Sequence, residues 1–306
     1  MAFYWFKYHT GKMKTKVVIW IALIMGIIKG HAQTAMASTE KNAHSFYFAA
    51  TGGYAFGVMG LSAQSIVTSS FANTYSNHSS AKSLSLGKGI MPQFTVGLMF
   101  TPNIGLELNC SYLIGAKQTW YMLDRTDSTG TSKGSSDYTA SMLQLAERLV
   151  VQGYVTEQFK PYFKIGPVIG FLANINEGSL YYATYHDANG NLVSGTFEDE
   201  YKYSGGWALG MSTTIGMEIG ISAHWSFLTE ATFTALSYSP VKGVHTVSKA
   251  DGIDKLADMK TSEKETVYSG TIDTNELPDP NAPKKSLKSY YPFSDIGLHA
   301  GLKFTF

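Results

Sequence analysis

At 306 residues and a formal net charge of +1, the chain is 44% apolar but only 15% charged, well below the roughly 25% charge of an average soluble protein. Its 30 Gly and 19 Tyr argue against a helical protein, because Gly weakens helices and Tyr favours strands. After the N-terminal region no apolar run is long enough for a membrane helix, and a single Cys, Cys110, rules out an internal disulfide framework.

The first element is an apolar, uncharged run over 17–28, preceded by Lys12, Lys14 and Lys16 and followed by Gly30, His31 and Ala32. It is too short for a hydrocarbon core of roughly 30 Å, and small residues follow it, so residues 1–32 read as a secretory signal peptide. Cleavage is expected after Ala32, with Ala37 as the alternative, and Met13 is a possible true start. With no Cys closing the run, a lipid-anchored form is not expected. Removal takes away five lysines and no acid, so 24 basic residues become 19 against 23 acidic ones, a net charge of −4. That balance gives no electrostatic case for a nucleic-acid partner.

The mature region, 33–306, reads as a series of strands with side chains alternating at period two. The first, about 45–57, sets Phe46, Phe48, Ala50, Tyr54 and Phe56 on one face; the second, about 89–101, does so with Phe94, Val96, Leu98 and Phe100. The third, about 105–116, opposes Leu106, Leu108, Cys110, Tyr112 and Ile114 to Glu107, Asn109 and Ser111. The fourth, about 138–153, is irregular, because Leu143, Leu145, Leu149 and Val151 share their face with Glu147. A charge facing lipid near mid-bilayer costs about 2–4 kcal/mol, somewhat less for an acid, so a bulge or a different register is expected there. The opposite parity does not help, since it would turn Gln144, Arg148 and Gln152 outward.

The fifth strand, about 161–172, opposes Phe163, Ile165, Pro167, Ile169 and Phe171 to Tyr162, Lys164 and Gly166. The sixth, about 206–220, opposes Trp207, Leu209, Met211, Ile215, Met217 and Ile219 to Gly210, Ser212, Thr214 and Glu218. The seventh, about 225–237, opposes Phe227, Ala231, Phe233 and Ala235 to Glu230, Thr232 and Thr234. In the eighth, Phe306, Phe304, Leu302, Ala300, Leu298 and Ile296 alternate with Thr305, Lys303, Gly301, His299, Gly297 and Asp295. An apolar face opposite a polar or Gly face is what a strand between lipid and a polar lumen requires, and each segment exceeds the roughly 9–11 residues needed to cross.

Short connections (TPNI, a few residues near TEQF, and SAH) alternate with long ones at about 58–88, 117–137, 173–205 and 238–289. Periplasmic turns alternating with extracellular loops predict an all-β, eight-stranded antiparallel transmembrane up-and-down β-barrel in the cell outer membrane, with both termini in the periplasm.

The last strand, with FYFAATGGYAFG (46–57), KPYFKIGPVIGF (160–171) and GMEIGISAHWSFLTEATFTAL (216–236), resembles OmpA-like outer-membrane β-barrel domains. The resemblance implies that Phe306, Phe304 and Leu302 form a sorting signal read by the barrel-assembly machinery. It also implies outer-membrane lipid as surroundings and an unidentified extracellular ligand for the loops.

Glu107, Arg148, Lys164, Glu218, Glu230, Asp295, His299 and Lys303 fall on the inward face and are expected to form a polar network filling the lumen, since eight strands leave little more room than side chains need. His224, Ser226 and Glu230 are similar to the His-x-Ser pair and acid of outer-membrane lipid A deacylases but sit at a periplasmic turn, where an aromatic interfacial turn is the expected role. His78, His186 and His245 are expected to be solvated loop residues without metal-ligand spacing. Asp187, Asn189, Asn191 and Glu198 match calcium-loop positions, but Leu192 stands where that loop needs Gly, and Asn189-Gly190 instead predicts a type I′ turn in a hairpin extending the fifth and sixth strands. The last loop, with eight basic and eight acidic residues over 240–289, is expected to be solvated and mobile. No cofactor or catalytic set is read. The leading expectation is a non-enzymatic surface anchor, adhesion or envelope-integrity protein; the alternatives are a narrow small-solute channel and, behind it, a lipid-modifying enzyme.

Overall fold

The computed structural model describes residues 45–58, 61–63, 68–69, 82–127, 130–156, 158–187, 189–273, 277 and 279–306. The predicted signal peptide, both cleavage positions and His78 lie outside them. Eight strands close a ring: β1 (Ser45–Gly57), β2 (Gln93–Met99), β3 (Ile104–Gly115), the lower part of β5 (Gly130–Gln152), the lower part of β6 (Phe159–His186), β8 (Ala208–Gly220), β9 (Trp225–Tyr238) and β13 (Asp295–Thr305). Each pairs antiparallel with the next, and β13 returns to β1 over eleven residue pairs, from Tyr47 opposite Thr305 to Gly57 opposite Asp295. Closure leaves the wall without an edge, which a sheet in lipid requires because unpaired backbone groups there have no water to bond.

Alternation sets which side chains face out. Phe46, Phe94, Leu108, Ile165, Leu209, Phe227 and Leu302 all stand exposed on the outer surface, while Ala49, Gln93, Glu107, Lys164, Thr214, Glu230 and Lys303 are buried inside. The second strand is shorter than expected, because Met91-Pro92 separates β2 from a two-residue stretch at Gly89–Ile90; Pro92 has no N–H for the ladder but accepts a bond from Tyr112 N–H. The short connections close as side-chain-capped turns. Thr101 Oγ1 accepts from the N–H of Asn103 and Ile104, Thr156 Oγ1 from Phe159 N–H, and Ser222 Oγ from Trp225 N–H.

At the other end the chain is largely β-structured, and here the expectation of a mobile last loop is corrected. The wall strands β5 and β6 continue past the ring, and they are joined by β4 (Gln118–Asp127), β7 (Leu192–Ser204), β10 (Lys242–Ala250), β11 (Glu265–Ser269) and β12 (Lys284–Leu287). The resulting sheet runs β4-β5-β6-β7-β10-β11-β12, antiparallel except for the last pair. The charge balance of 240–289 signals solvation but says nothing of the backbone pairing that β7 offers to β10.

One bulge makes this extension possible. The β5/β6 register shifts between Phe171 and Asn174, with Leu172 at φ 52. Below it odd residues of β6 face out, as Phe163 and Ile165 do; above it Ala173 and Ile175 face in. The 28-residue strand thus keeps an apolar outer face within the wall and a different inner face above it.

Candidate functional site

The wall brings seven of the eight expected lumen residues into bonded contact. Glu107 on β3 stands in register with Arg148 on β5, and their charged ends meet at 2.6 Å. Lys164 on β6 bridges Glu107 at 3.1 Å and Glu230 on β9 at 2.6 Å. Nearer the short-turn end, Lys303 meets Glu218 at 2.7 Å, and Glu218 also accepts from Gln152 Nε2 at 3.0 Å and Ser226 Oγ at 2.9 Å. His299 lies higher, its ring nitrogens 3.2 Å from Gln93 Nε2, and Gln93 Oε1 in turn accepts from Asn109 Nδ2. Asp295 is buried at the long-loop end of β13 and stands apart, its Oδ2 without a partner.

Three buried carboxylates therefore face three buried cations, Arg148, Lys164 and Lys303, a balance that desolvated charges need. Two tyrosines complete it. Tyr47 donates to Glu107 at 2.7 Å and Tyr162 to Glu230 at 3.0 Å. Each ring lies against a wall glycine: a Cβ on Gly97 would meet Tyr47 at 2.1 Å, and one on Gly216 would meet Tyr162 at 2.4 Å. The ammonium groups of Lys303 and Lys164 sit 4.2 Å and 4.7 Å from the centres of the Tyr47 and Tyr162 rings. Tyr47, Gln93, Gln152 and Ser226 were not among the predicted site residues; their inward parity, and for Tyr47 the facing glycine, were the available signals.

Above this network the lumen turns apolar. Met142, Ile175, Tyr238 and Phe293 are fully or almost fully buried, and they pack with Leu84 and Leu86, which reach in from the first long connection. Leu86 N–H donates to Pro292 O at 2.9 Å and Ser85 Oγ to Ser294 O at 2.6 Å, which ties that segment to the chain entering β13. The lumen is thus closed at two levels by different chemistry. A cavity of about 10 Å³ beside Tyr47, Gln152, Lys164 and Glu218 has space for about one water.

Several other expectations are corrected. Glu147 is neither bulged inward nor out of register: it stands opposite Leu108 on the outer face, partly exposed among apolar residues. Regular pairing of Arg148 with Glu107 fixes it there, since turning Glu147 inward would break that pair. The turn at Asn189-Gly190 is not type I′. Gly190 N–H donates to Asp187 O, Asp187 N–H to Asn191 O, and only Gly190, at φ 80, takes the left-handed conformation among the described turn residues, so the hairpin turns through a three-residue loop. Asp187 accepts from the N–H of Asn189 and Asn191 and from Asn191 Nδ2, which commits its carboxylate to the turn. His245 is not solvated: it is buried, its Nε2 donates to Asp199 Oδ1 at 2.9 Å, and its ring stacks 4.1 Å from Tyr201. His186 is exposed. His224 Nδ1 is 2.9 Å from Thr305 O and its ring stacks on Phe304, whereas Ser226 faces inward onto Glu218 and Glu230 bonds Lys164.

On the outer surface the ring of Phe306 contacts Phe46 at 5.8 Å, Phe48 at 5.6 Å and Phe304 at 5.0 Å, and its N–H donates to Phe46 O. Leu302 is exposed on the same face, two residues before Phe304. This cluster spans the seam between the first and last strands.

A closed eight-stranded wall with an apolar exterior, a polar lumen, short turns at one end and long connections at the other defines a transmembrane β-barrel of the outer-membrane class. No family model matches the chain, and no curated protein matches it. Among solved structures it is similar to the crystal structure of the outer membrane protein OprG from Pseudomonas aeruginosa, with 10% identity and a TM-score of 0.36 over 87% of this chain and 97% of that one.

Proposed function

We propose that the chain is a non-conducting, non-enzymatic outer-membrane anchor of the OmpA-like kind, exported by a cleaved leader at 1–32, whose long-loop end meets the surroundings as an adhesion, receptor or envelope-integrity element. The observation that carries this reading is the double closure of the lumen, by paired charges below and by Leu86, Met142, Ile175 and Phe293 above. An ion crossing it would have to break the pairs and then leave water for an apolar layer. The separation of His224, bonded to Thr305 O, from Ser226, which turns inward onto Glu218, supports the non-enzymatic part of the reading, because the histidine that would serve as base does not meet the serine. In the same reading Phe306, Phe304 and Leu302 serve the assembly machinery.

The narrow-channel reading draws on buried polar atoms without protein partners at mid-height, Thr51 Oγ1, Gln144 Nε2 and Ser212 Oγ, which are suited to bind water. Conductance of the purified chain in planar bilayers separates the two. The anchor reading expects no steps above baseline, and steady single-channel openings of the native chain would replace it with the channel.

A further inference from the structure

The part of the sheet above the wall has two faces of opposite chemistry. On β5, β6, β7 and β10 the face continuous with the lumen carries Tyr201 opposite Glu177, Phe197 opposite Tyr181, Asp199 opposite Ser179, and His245 opposite Tyr201. Ring pairs run along it, with Tyr181 and Phe197 at 6.2 Å and Tyr201 and Tyr203 at 6.3 Å. Phe197 is exposed, Tyr181 and Tyr201 are half-exposed, and the Asp199 side chain is 37% exposed. Among the described side chains of these four strands, no Lys or Arg lies on this face. Lys133, Lys202, Lys242 and Lys249 all fall on the other side of the sheet by register, and two of them pair there with Glu265 and Glu198.

Electron-rich ring faces beside carboxylates, with no Lys or Arg among them and with His245 reaching only one Asp199 oxygen and one side of Tyr201, favour a positively charged guest. Glu177 accepts from both Tyr138 and Tyr203 hydroxyls, so its carboxyl group is fixed in place beside the rings. The Tyr201 hydroxyl is pushed to higher pKa by burial first and then by the charges of Asp199 and Glu177, an electronegative setting in keeping with that guest. Bare calcium and magnesium ions are poorly served, since they take six or more oxygen ligands and both Glu177 oxygens are engaged. A sugar needs donors as well as acceptors, and the Tyr138 and Tyr203 hydroxyls already donate to Glu177.

We propose that this face binds small organic ammonium compounds, with Tyr181, Phe197 and Tyr201 meeting the alkyl-ammonium head and Asp199 and Glu177 supplying the counter-charge. The proposal rests on the reading that the long-loop end meets the surroundings, but its test is independent of conductance.

The test uses the full chain folded in detergent micelles, with heat-modifiable gel mobility as the check on folding, and isothermal titration at constant ionic strength. Choline is expected to bind saturably. Its neutral isostere 3,3-dimethyl-1-butanol should bind about tenfold more weakly, as loss of a cation–π contact and its counter-charge implies. Asp199→Asn should weaken choline binding severalfold, while Asp187→Asn, at the hairpin tip, should leave it unchanged. If Asp199→Asn does not fold, the comparison of choline with its isostere in the native chain decides. Equal binding of the two, saturable binding of maltose but not choline, or unaltered affinity in a folded Asp199→Asn chain would overturn the proposal.

Discussion

The lower and upper halves of the lumen are built by the same alternation and filled in opposite ways. Near the short turns, inward positions are Glu107, Arg148, Lys164, Glu218, Glu230 and Lys303, joined by ion pairs of 2.6–3.1 Å. Near the long connections they are Ala55, Met91, Leu113, Met142, Val168 and Leu236, with Leu86 and Phe293 packed in from connecting segments. The charged half is specified pairwise, because each group removed from water needs a stated partner. The apolar half is specified by volume, and the wall alone does not fill it. A barrel of this width can therefore be closed by side chains of its own strands where they are long and polar, and needs inserted segments where they are short.

Breaking a pair in the lower half should have the largest effect. Glu107→Gln leaves Arg148 without its carboxylate and Lys164 with one carboxylate instead of two, and loss of one partner of a buried pair costs about 3–5 kcal/mol. A fall of that size in folding free energy, measured by urea titration in lipid vesicles, is the expected outcome; a change below about 1 kcal/mol, the value of an exposed pair, would mean that the lumen is solvated at that level.

The upper half should yield to a change of volume. Leu86→Ala removes a side chain that is 2% exposed and should cost about 2–5 kcal/mol, toward the lower end because a connecting segment relaxes more readily than a strand. If the lower network closes the lumen on its own, this variant remains silent in planar bilayers. Openings in Leu86→Ala but not in the native chain would place the only effective barrier in the apolar half.

The outer surface gives a smaller effect of opposite sign. Glu147 faces lipid opposite Leu108, so Glu147→Leu should stabilise the barrel by about 1–2 kcal/mol in vesicles, below the cost of a basic residue at the same depth. The gain should shrink in detergent micelles, where water reaches the outer surface more easily. No gain in vesicles would mean that another group meets Glu147 at that depth.

The smallest effect concerns the hairpin tip, outside the membrane. The Asn191 backbone N–H first, and then its side-chain amide, hold the Asp187 carboxyl below its usual range. A folded value below the unfolded one means that the contribution is present above the unfolded value, about 4, and is lost as the pH falls through the folded one. Amide resonances of Asn189, Gly190 and Asn191 should move together below about pH 4 while those of the wall stay in place. Titration of the same amides at the ordinary aspartate value would show that the turn bonds are not formed in solution.

The strand count, the inward and outward parity and the short turns were legible in the sequence, because a strand's side-chain period is two and lipid tolerates few polar residues on one face. All eight inward ionisable residues could be assigned to the lumen for the same reason, but not paired, since partners such as Lys164 and Glu230 lie on strands that are not neighbours. The bulge or altered register expected at Glu147, which would spare lipid one carboxylate, does not form, because the regular register that places Arg148 on Glu107 holds Glu147 outward. His245 looked like a solvated loop residue until β10 paired with β7 and set it against Asp199 and Tyr201.

Local pattern dictates the wall: twofold alternation repeated in eight segments leaves one way to hide the backbone in lipid, a closed antiparallel ring. Tertiary structure alone decided the bulge at Leu172, the sheet above the wall and the insertion of Leu86 beside Phe293. Those depend on contacts between residues far apart in the chain, where no local periodicity carries the information and only the packing of one segment against another selects the arrangement.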